Sequence, residues 1–418
     1  MEQQKRIVVT GLGALTPIGN NVDDFWNGLI NGVSGADYIT LFDASKFKTR
    51  FACEVKNFDP TQFLDKKEAR KIDRFSQLAI VAADQAITDA GLNKDNIDPD
   101  RTGVILGSGI GGLISFQNEV MDFAKGDGTP RFNPFFIPKM ILDIAPGHVS
   151  MKHNMRGPNY STVSACASST HAIGVAFDLL RLGKADIIVT GGSEAVISEA
   201  GVGGFNALKA MSERNDDPKT ACRPYDKGRD GFVLGEAGGI LVLETLEHAL
   251  ARGAKIYCEV CGSGATADAY HITAPHPEGL GAENVMRRAL EDANMKPEDI
   301  DYINTHGTST PLGDGAEVKA ILNVFGEHSY KLNISSTKSM TGHCLGAAGA
   351  IETIAIIKSV VHDIVPPTIN HFEDDPELDN RLNFTFNKAQ NRIINAAFSN
   401  TFGFGGHNAA IIVKKYVA

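Results

Sequence analysis

The chain has 418 residues, 43% of them hydrophobic and 22% charged. That is enough apolar material for one large core or two ordinary ones, which excludes a disordered or fibrous protein. A formal net charge of -10 argues against a nucleic-acid partner, because phosphate binding needs a clustered basic surface and a positive balance.

The six cysteines, Cys53, Cys166, Cys222, Cys258, Cys261 and Cys344, are too sparse for a disulfide framework, so a reducing cytoplasm is the expected compartment. The opening "KRIVVTGLGALTPIG" reads as a strand and turn, with neither a charged-then-apolar leader nor an Arg/Ser-rich transit segment. No apolar run is expected to reach the ~18 residues of a membrane span. "GLGALT" imitates a dinucleotide fingerprint, but Thr16 stands where the third glycine belongs.

In chain order, "RIVVTG", "GVILGSG", "DIIVTGG", "IYCEVCG", "DYINTHG", "NISSTKS" and "AAIIVKK" read as strands. Between several of them, "FSQLAIVAADQAITDAG" and "GLGAENVMRRALEDANM" carry apolar residues at helical spacing. This alternation predicts an α/β protein with largely buried sheets covered by helices. After "YSTVSA", residues Ala172, Ile173, Ala176, Leu179 and Leu180 share one helical face, and Gly183 is placed as its stop. A similar unit recurs in "LNISSTKSMTGHCLGAAGAIETIAIIKSVVHDIVPP", with Ile351, Ile354, Ala355 and Val361 along its helix. Two such units predict a duplicated architecture, residues 1–255 and 256–418, with no low-complexity linker between the halves. The C-x-x-C of Cys258 and Cys261 lies in a strand with no second pair at zinc spacing, so it is read as core.

Reactive groups in open α/β sheets sit beyond the carboxyl ends of strands, and three polar turns occupy such places. Cys166 stands at the first turn of its helix, where free N–H groups and the dipole are expected to lower its pKa. An inert buried cysteine is the alternative. "NTHGTSTPLGDGAE" supplies His306, Thr308 and Thr310, with Asp314 placed to cap the next helix; a satisfied turn histidine is the alternative there. "SSTKSMTGHCLGAAG" offers Lys338 and His343 before a run of glycines that admits either a ligand or a closely packed helix. Near the C-terminus, "FSNTFGFGGHNAAIIVKK" places glycines around Phe404, able to expose N–H groups to an oxyanion or merely to connect a hairpin. A thiol, two imidazoles, an ammonium and exposed amides is the inventory for acyl transfer to sulfur.

The pieces "VSACASS", "NTHGTSTPLGD", "STKSMTGHCLGAAG" and "NTFGFGGHN" together resemble the elongating β-ketoacyl-(acyl carrier protein) synthases of bacterial type II fatty-acid synthesis. "VTGLGALTPIG" and "RPYDKGRDGFVLGEAGGILVLE" support the likeness, which spans nearly the whole chain. The resemblance implies a thiolase-like fold: two α/β halves related by a pseudo-twofold in five α-β-α-β-α layers, usually as a homodimer. It implies an acyltransferase that performs decarboxylative Claisen condensation of a malonyl thioester with an acyl chain held on Cys166. Both substrates would be carried on the phosphopantetheine of an acyl carrier protein, with no cofactor or metal of the enzyme's own.

By the same likeness His306 and His343 assist decarboxylation, Lys338 stands near the second histidine with Glu352 as its partner, and Thr308 and Thr310 grip the pantetheine arm. Phe404 gates between the two substrates, and its N–H pairs with that of Cys166 as an oxyanion hole. Ile110 and Phe205 are candidate walls of the acyl pocket. His271 falls in a family loop without an assigned role. The acidic carrier would need a local basic face, for which Lys66, Lys67, Arg70, Lys71 and Lys209 are candidates. A polyketide-type ketosynthase is the alternative enzyme, and its non-catalytic chain-length partner the alternative binding subunit, disfavoured by the presence of Cys166.

Overall fold

The computed structural model describes residues 5–417. Ten strands form the main sheet: β1 (Ile7–Leu15), β2 (Thr102–Gly107), β3 (Asn159–Thr162), β4 (Ile187–Glu194), β5 (Ala237–Thr245), β6 (Cys258–Ala267), β7 (Tyr302–Asn304), β8 (Asn333–Ser335), β9 (Ala396–Gly403) and β10 (His407–Lys414). Their order across the sheet is β8-β7-β9-β10-β6-β1-β5-β4-β2-β3. In each half the outer three strands run parallel, and the next two alternate in direction. The first five strands therefore repeat in the last five, position for position. The halves join where β1 and β6 pair antiparallel, Ile7 opposite Val260 and Val9 opposite Cys258. The division expected at residue 255 falls between β5 and β6.

Helices complete the layers. Helix α1 (Arg74–Asp89) covers the outer face of the first half, while α3 (Leu280–Ala293), with α4 (Pro311–Phe325) behind it, covers the second. Between the halves lie α2 (Ser168–Arg181) and α5 (Ala348–His362), each touching strands of both halves and each other. This is the five-layered, duplicated arrangement expected. Gly11 and Gly13 lie inside β1, where the carbonyls of Ala86 and Ala82 on α1 leave no room for a Cβ; the N-terminal glycines thus serve close packing, not a dinucleotide.

Two expectations need correction. Leu345–His362 is, by length and composition, a helical segment able to cross a membrane, contrary to the reading that no such run exists. It is 89% buried inside the protein, because a helix apolar all round is what the middle of a five-layer core requires. Along it Ile351, Ile354 and Ala355 are buried as expected, but Val361 is exposed in the last turn. Strand β5 is not among the strands expected from the sequence; its Gly238 and Gly239 lie against Leu78 of α1 and Ile351 of α5, where a Cβ would not fit.

Candidate active site

The three polar turns meet. Cys166 occupies a single 3-10 turn, Ala165–Ala167, between β3 and α2. Ala165 takes a left-handed φ of 50°, uncommon for a residue with a side chain. The turn is held by Ser168, whose Oγ donates to the Ala165 carbonyl (2.7 Å) and accepts from the Ser164 amide (2.9 Å). The matching turn of the second half, Leu345–Ala347, repeats the geometry with Leu345 at φ 47°.

His343 reaches Cys166 across the pseudo-twofold, its Nε2 3.0 Å from Sγ. Its backbone is pinned by the Val233 carbonyl, which accepts from His343 N at 2.7 Å. His306, just beyond β7, stands edge-on to His343 with ring centroids 5.2 Å apart. Both imidazoles are buried and held well below the ordinary histidine pKa, chiefly by desolvation and then by the Lys338 charge. They are neutral near pH 7. Lys338 is wholly buried and paired through Nζ with Glu352 Oε1, whose carboxyl burial pushes up to about 7 against the pull of the lysine.

The thiol departs from expectation. Desolvation raises Cys166 to about 12, outweighing Lys338 and the amide N–H groups of Phe404 and Cys166 itself, which pull it down. The helix terminus does not win because the sulfur is almost wholly buried, with Cys166 7% exposed. At rest the thiol keeps its proton, with the neutral His343 Nε2 beside it.

A cavity of about 490 Å³ opens onto these groups. Cys166, His306, His343, Phe404, Thr308 and Thr310 all line it, and the two threonine hydroxyls lie 3.0 Å apart. Ile110 and Phe205 line it as well, Phe205 packing edge-on against Phe232, which in turn meets the His343 ring. Lys338 and Glu352 sit behind the histidines, outside the lining. His271 faces outward, its Nδ1 accepting from the amides of Thr273 and Ala274; of that loop it is His276 that reaches the cavity. Lys209 stands at the rim, whereas Lys66, Lys67, Arg70 and Lys71 lie on a separate surface turn away from it. Asp314 does not cap α4: it lies inside the helix and accepts from the amides of Ser309 and Tyr225, because the chain doubles back over it.

Two buried carboxylates escaped the sequence reading. Glu317 on α4 accepts from the amides of His306 and Gly307, both at 2.9 Å, and burial raises it to about 7. Glu194 closes β4 beneath the cavity and accepts from several amides. A lone acid ending an apolar strand, and an acid three residues after Asp314 on an otherwise apolar face, were the available signals. Among the described residues no His, Cys, Asp and Glu group is arranged to hold a metal ion; Cys258 is core, and the Cys261 thiol faces the Ile412 carbonyl.

Comparison with known proteins gives the family. The β-ketoacyl synthase N-terminal domain family matches residues 4–249 and its C-terminal domain family residues 257–372. The chain belongs to the β-ketoacyl synthase family. It is 51% identical over 421 residues, covering all of both chains, to the 3-oxoacyl-(acyl-carrier-protein) synthase 2 of Staphylococcus aureus strain N315. It is 50% identical to the synthase of the same name from Synechocystis, with 99% of each chain covered. Among solved structures, a type II polyketide ketosynthase bound to a hexaketide and in complex with its acyl carrier protein superposes with a TM-score of 0.91 at 34% identity, covering 99% of this chain and 100% of that one.

Proposed function

We propose that this β-ketoacyl synthase elongates fatty acyl chains by decarboxylative condensation, with Cys166, His306, His343 and the Phe404 amide in contact with the reacting atoms. The observation that carries the reading is the convergence of one thiol and two neutral imidazoles on a single cavity. In the first half-reaction the Cys166 proton passes to His343 Nε2 as Sγ attacks the acyl thioester, and that proton leaves on the departing pantetheine thiol. In the second, malonyl thioester loses carbon dioxide. The charge left on its thioester oxygen is met by the His306 N–H, a donor of this kind being worth roughly 3 kcal/mol. The enolate carbon then attacks the acyl carbonyl on Cys166. The amides of Cys166 and Phe404 receive the oxyanion, and the sulfur leaves as thiolate and takes from solvent the one proton that the decarboxylative step consumes.

The second substrate would thread past Thr308 and Thr310, whose hydroxyls suit the amides of a pantetheine arm, and the carrier would be an acidic acyl carrier protein approaching Lys209. Thioester chemistry of this kind needs no redox group or metal of the enzyme's own. Six unpaired thiols favour a reducing, cytoplasmic setting. A homodimer is supported by an exposed apolar face: Phe116, Phe123, Phe132 and Phe135 with Ile137, beside Tyr160 and Val163 at β3, the edge strand.

Assay with purified malonyl- and acyl-carrier proteins tests the function. Long-chain extension by this protein alone is expected; dependence on a second subunit would assign it to polyketide assembly. Cys166→Ala should abolish extension while malonyl decarboxylation stays measurable. Extension by the alanine variant would remove Cys166 as nucleophile.

A further inference from the structure

Glu194 takes no part in the chemistry above, yet it is fully buried at the floor of the cavity. Its two oxygens accept from the amides of Gly109 (2.7 Å), Ile110 (3.2 Å) and Gly111 (2.9 Å) and from Ser108 Oγ (3.0 Å). A further amide comes from the opposite half of the molecule, Gly346 N at 3.1 Å. Burial raises the Glu194 carboxyl above its ordinary range, and the donors facing both oxygens pull it back down, N–H dipoles standing in place of a cation.

The packing around it is tight. A Cβ on Gly346 would fall 2.3 Å from Gly109 N and 2.6 Å from Glu194 Oε2, and one on Gly109 would meet the Ala165 carbonyl at 3.0 Å. The loop 108–111, the turn that carries Cys166 and its counterpart in the second half therefore meet around one carboxylate. The side chain this loop presents to the cavity is Ile110, 37% exposed and lining the space beside the thiol.

We propose that Glu194 is a positioning residue for acyl-chain specificity: by locking Ser108–Gly111 onto the Gly346 turn it fixes where Ile110 stands, and so which chain lengths reach Cys166. This rests on the reading of the cavity as an acyl channel. Glu194→Gln keeps the shape but turns an NH2 group toward backbone donors, which frees part of the loop.

The test reads alkylation of Cys166 by mass spectrometry, with chloroacetamide and its N-hexyl and N-tetradecyl derivatives. These reagents need neither carrier protein nor condensation, so the result stands apart from the elongation assay. In Glu194→Gln the tetradecyl-to-hexyl rate ratio should shift by at least about tenfold, while the rate with unsubstituted chloroacetamide stays within about twofold. Ile110→Ala should shift the same ratio in the parent protein and add little in the Glu194→Gln background. An unchanged ratio, equal loss with all three reagents, or additive effects of the two substitutions would overturn the assignment. If Glu194→Gln lacks native circular dichroism, the same three rates on Glu194→Asp decide, since that variant keeps the charge and shortens its reach.

Discussion

At the residue scale the resting site is a neutral pair, thiol beside imidazole, and its reactivity depends on the imidazole taking the proton. His343→Ala removes that acceptor, and alkylation of Cys166 by iodoacetamide at pH 7.5 is expected to slow by roughly 10²-fold; an unchanged rate would mean the thiol ionises unaided. Both imidazoles have folded pKa values pushed below the ordinary 6.5. The unfolded chain therefore binds their protons first, and the stability they contribute is present above pH 6.5 and lost as pH falls below it. Ring proton shifts in NMR should stay flat from pH 8 to 6.5 for both residues, and a midpoint at the ordinary value would contradict the burial argument. The residue types were legible from the turns alone. Their electrostatics were not: a helix start next to a cysteine predicts a lowered pKa, and only the sealed surroundings reverse the sign.

At the scale of elements, two helices placed back to back between the halves set the distance from Cys166 to His343. The crossing is close because Gly349 on α5 faces Thr170 on α2: a Cβ there would lie 1.8 Å from Thr170 Oγ1. Gly349→Ala is expected to cost about 1–3 kcal/mol of stability, read as a lower denaturant midpoint, and to slow extension by parting thiol and imidazole. A midpoint equal to that of the parent would show that the helices can separate freely. The glycine run in "SSTKSMTGHCLGAAG" signalled close approach or ligand space without distinguishing them. The structure uses two of these glycines for close packing, Gly349 against Thr170 and Gly346 against Gly109 and the Glu194 carboxylate. Glu194 and Glu317 left only weak signals, since a buried acid is recognised by the amides that surround it: for Glu317 these lie 10 and 11 residues back in the preceding turn, and for Glu194 they come from segments as far as 152 residues away.

At the scale of the whole molecule, the aromatic face beside β3 is continuous, with Phe123 stacked on Phe132 at 5.3 Å and Phe132 on Phe136 at 5.6 Å. Phe132→Glu should convert the proposed dimer to monomer in sedimentation; a parent protein that already sediments as a monomer would refute the dimer. Lys71 lies over Phe135 at the margin of this face, 5.3 Å from the ring centroid, so the basic turn 66–71 borders it. Lys209 is at the cavity rim. Reversing Lys67 and Lys209 to Glu is expected to raise KM for carrier-bound substrate with little change in kcat, and unchanged kinetics would remove both from docking.

Local spacing, composition and motif order determined the α/β class, the duplication and the turns that carry Cys166, His306 and His343, because each is written in a few consecutive residues and in the periodicity around them. Tertiary structure alone decided the protonation of the thiol, the burial of the apolar helix Leu345–His362, the carboxylates under the site and which lysine reaches the cavity. These depend on desolvation and on contacts between separate segments, quantities that no stretch of chain contains until it is packed.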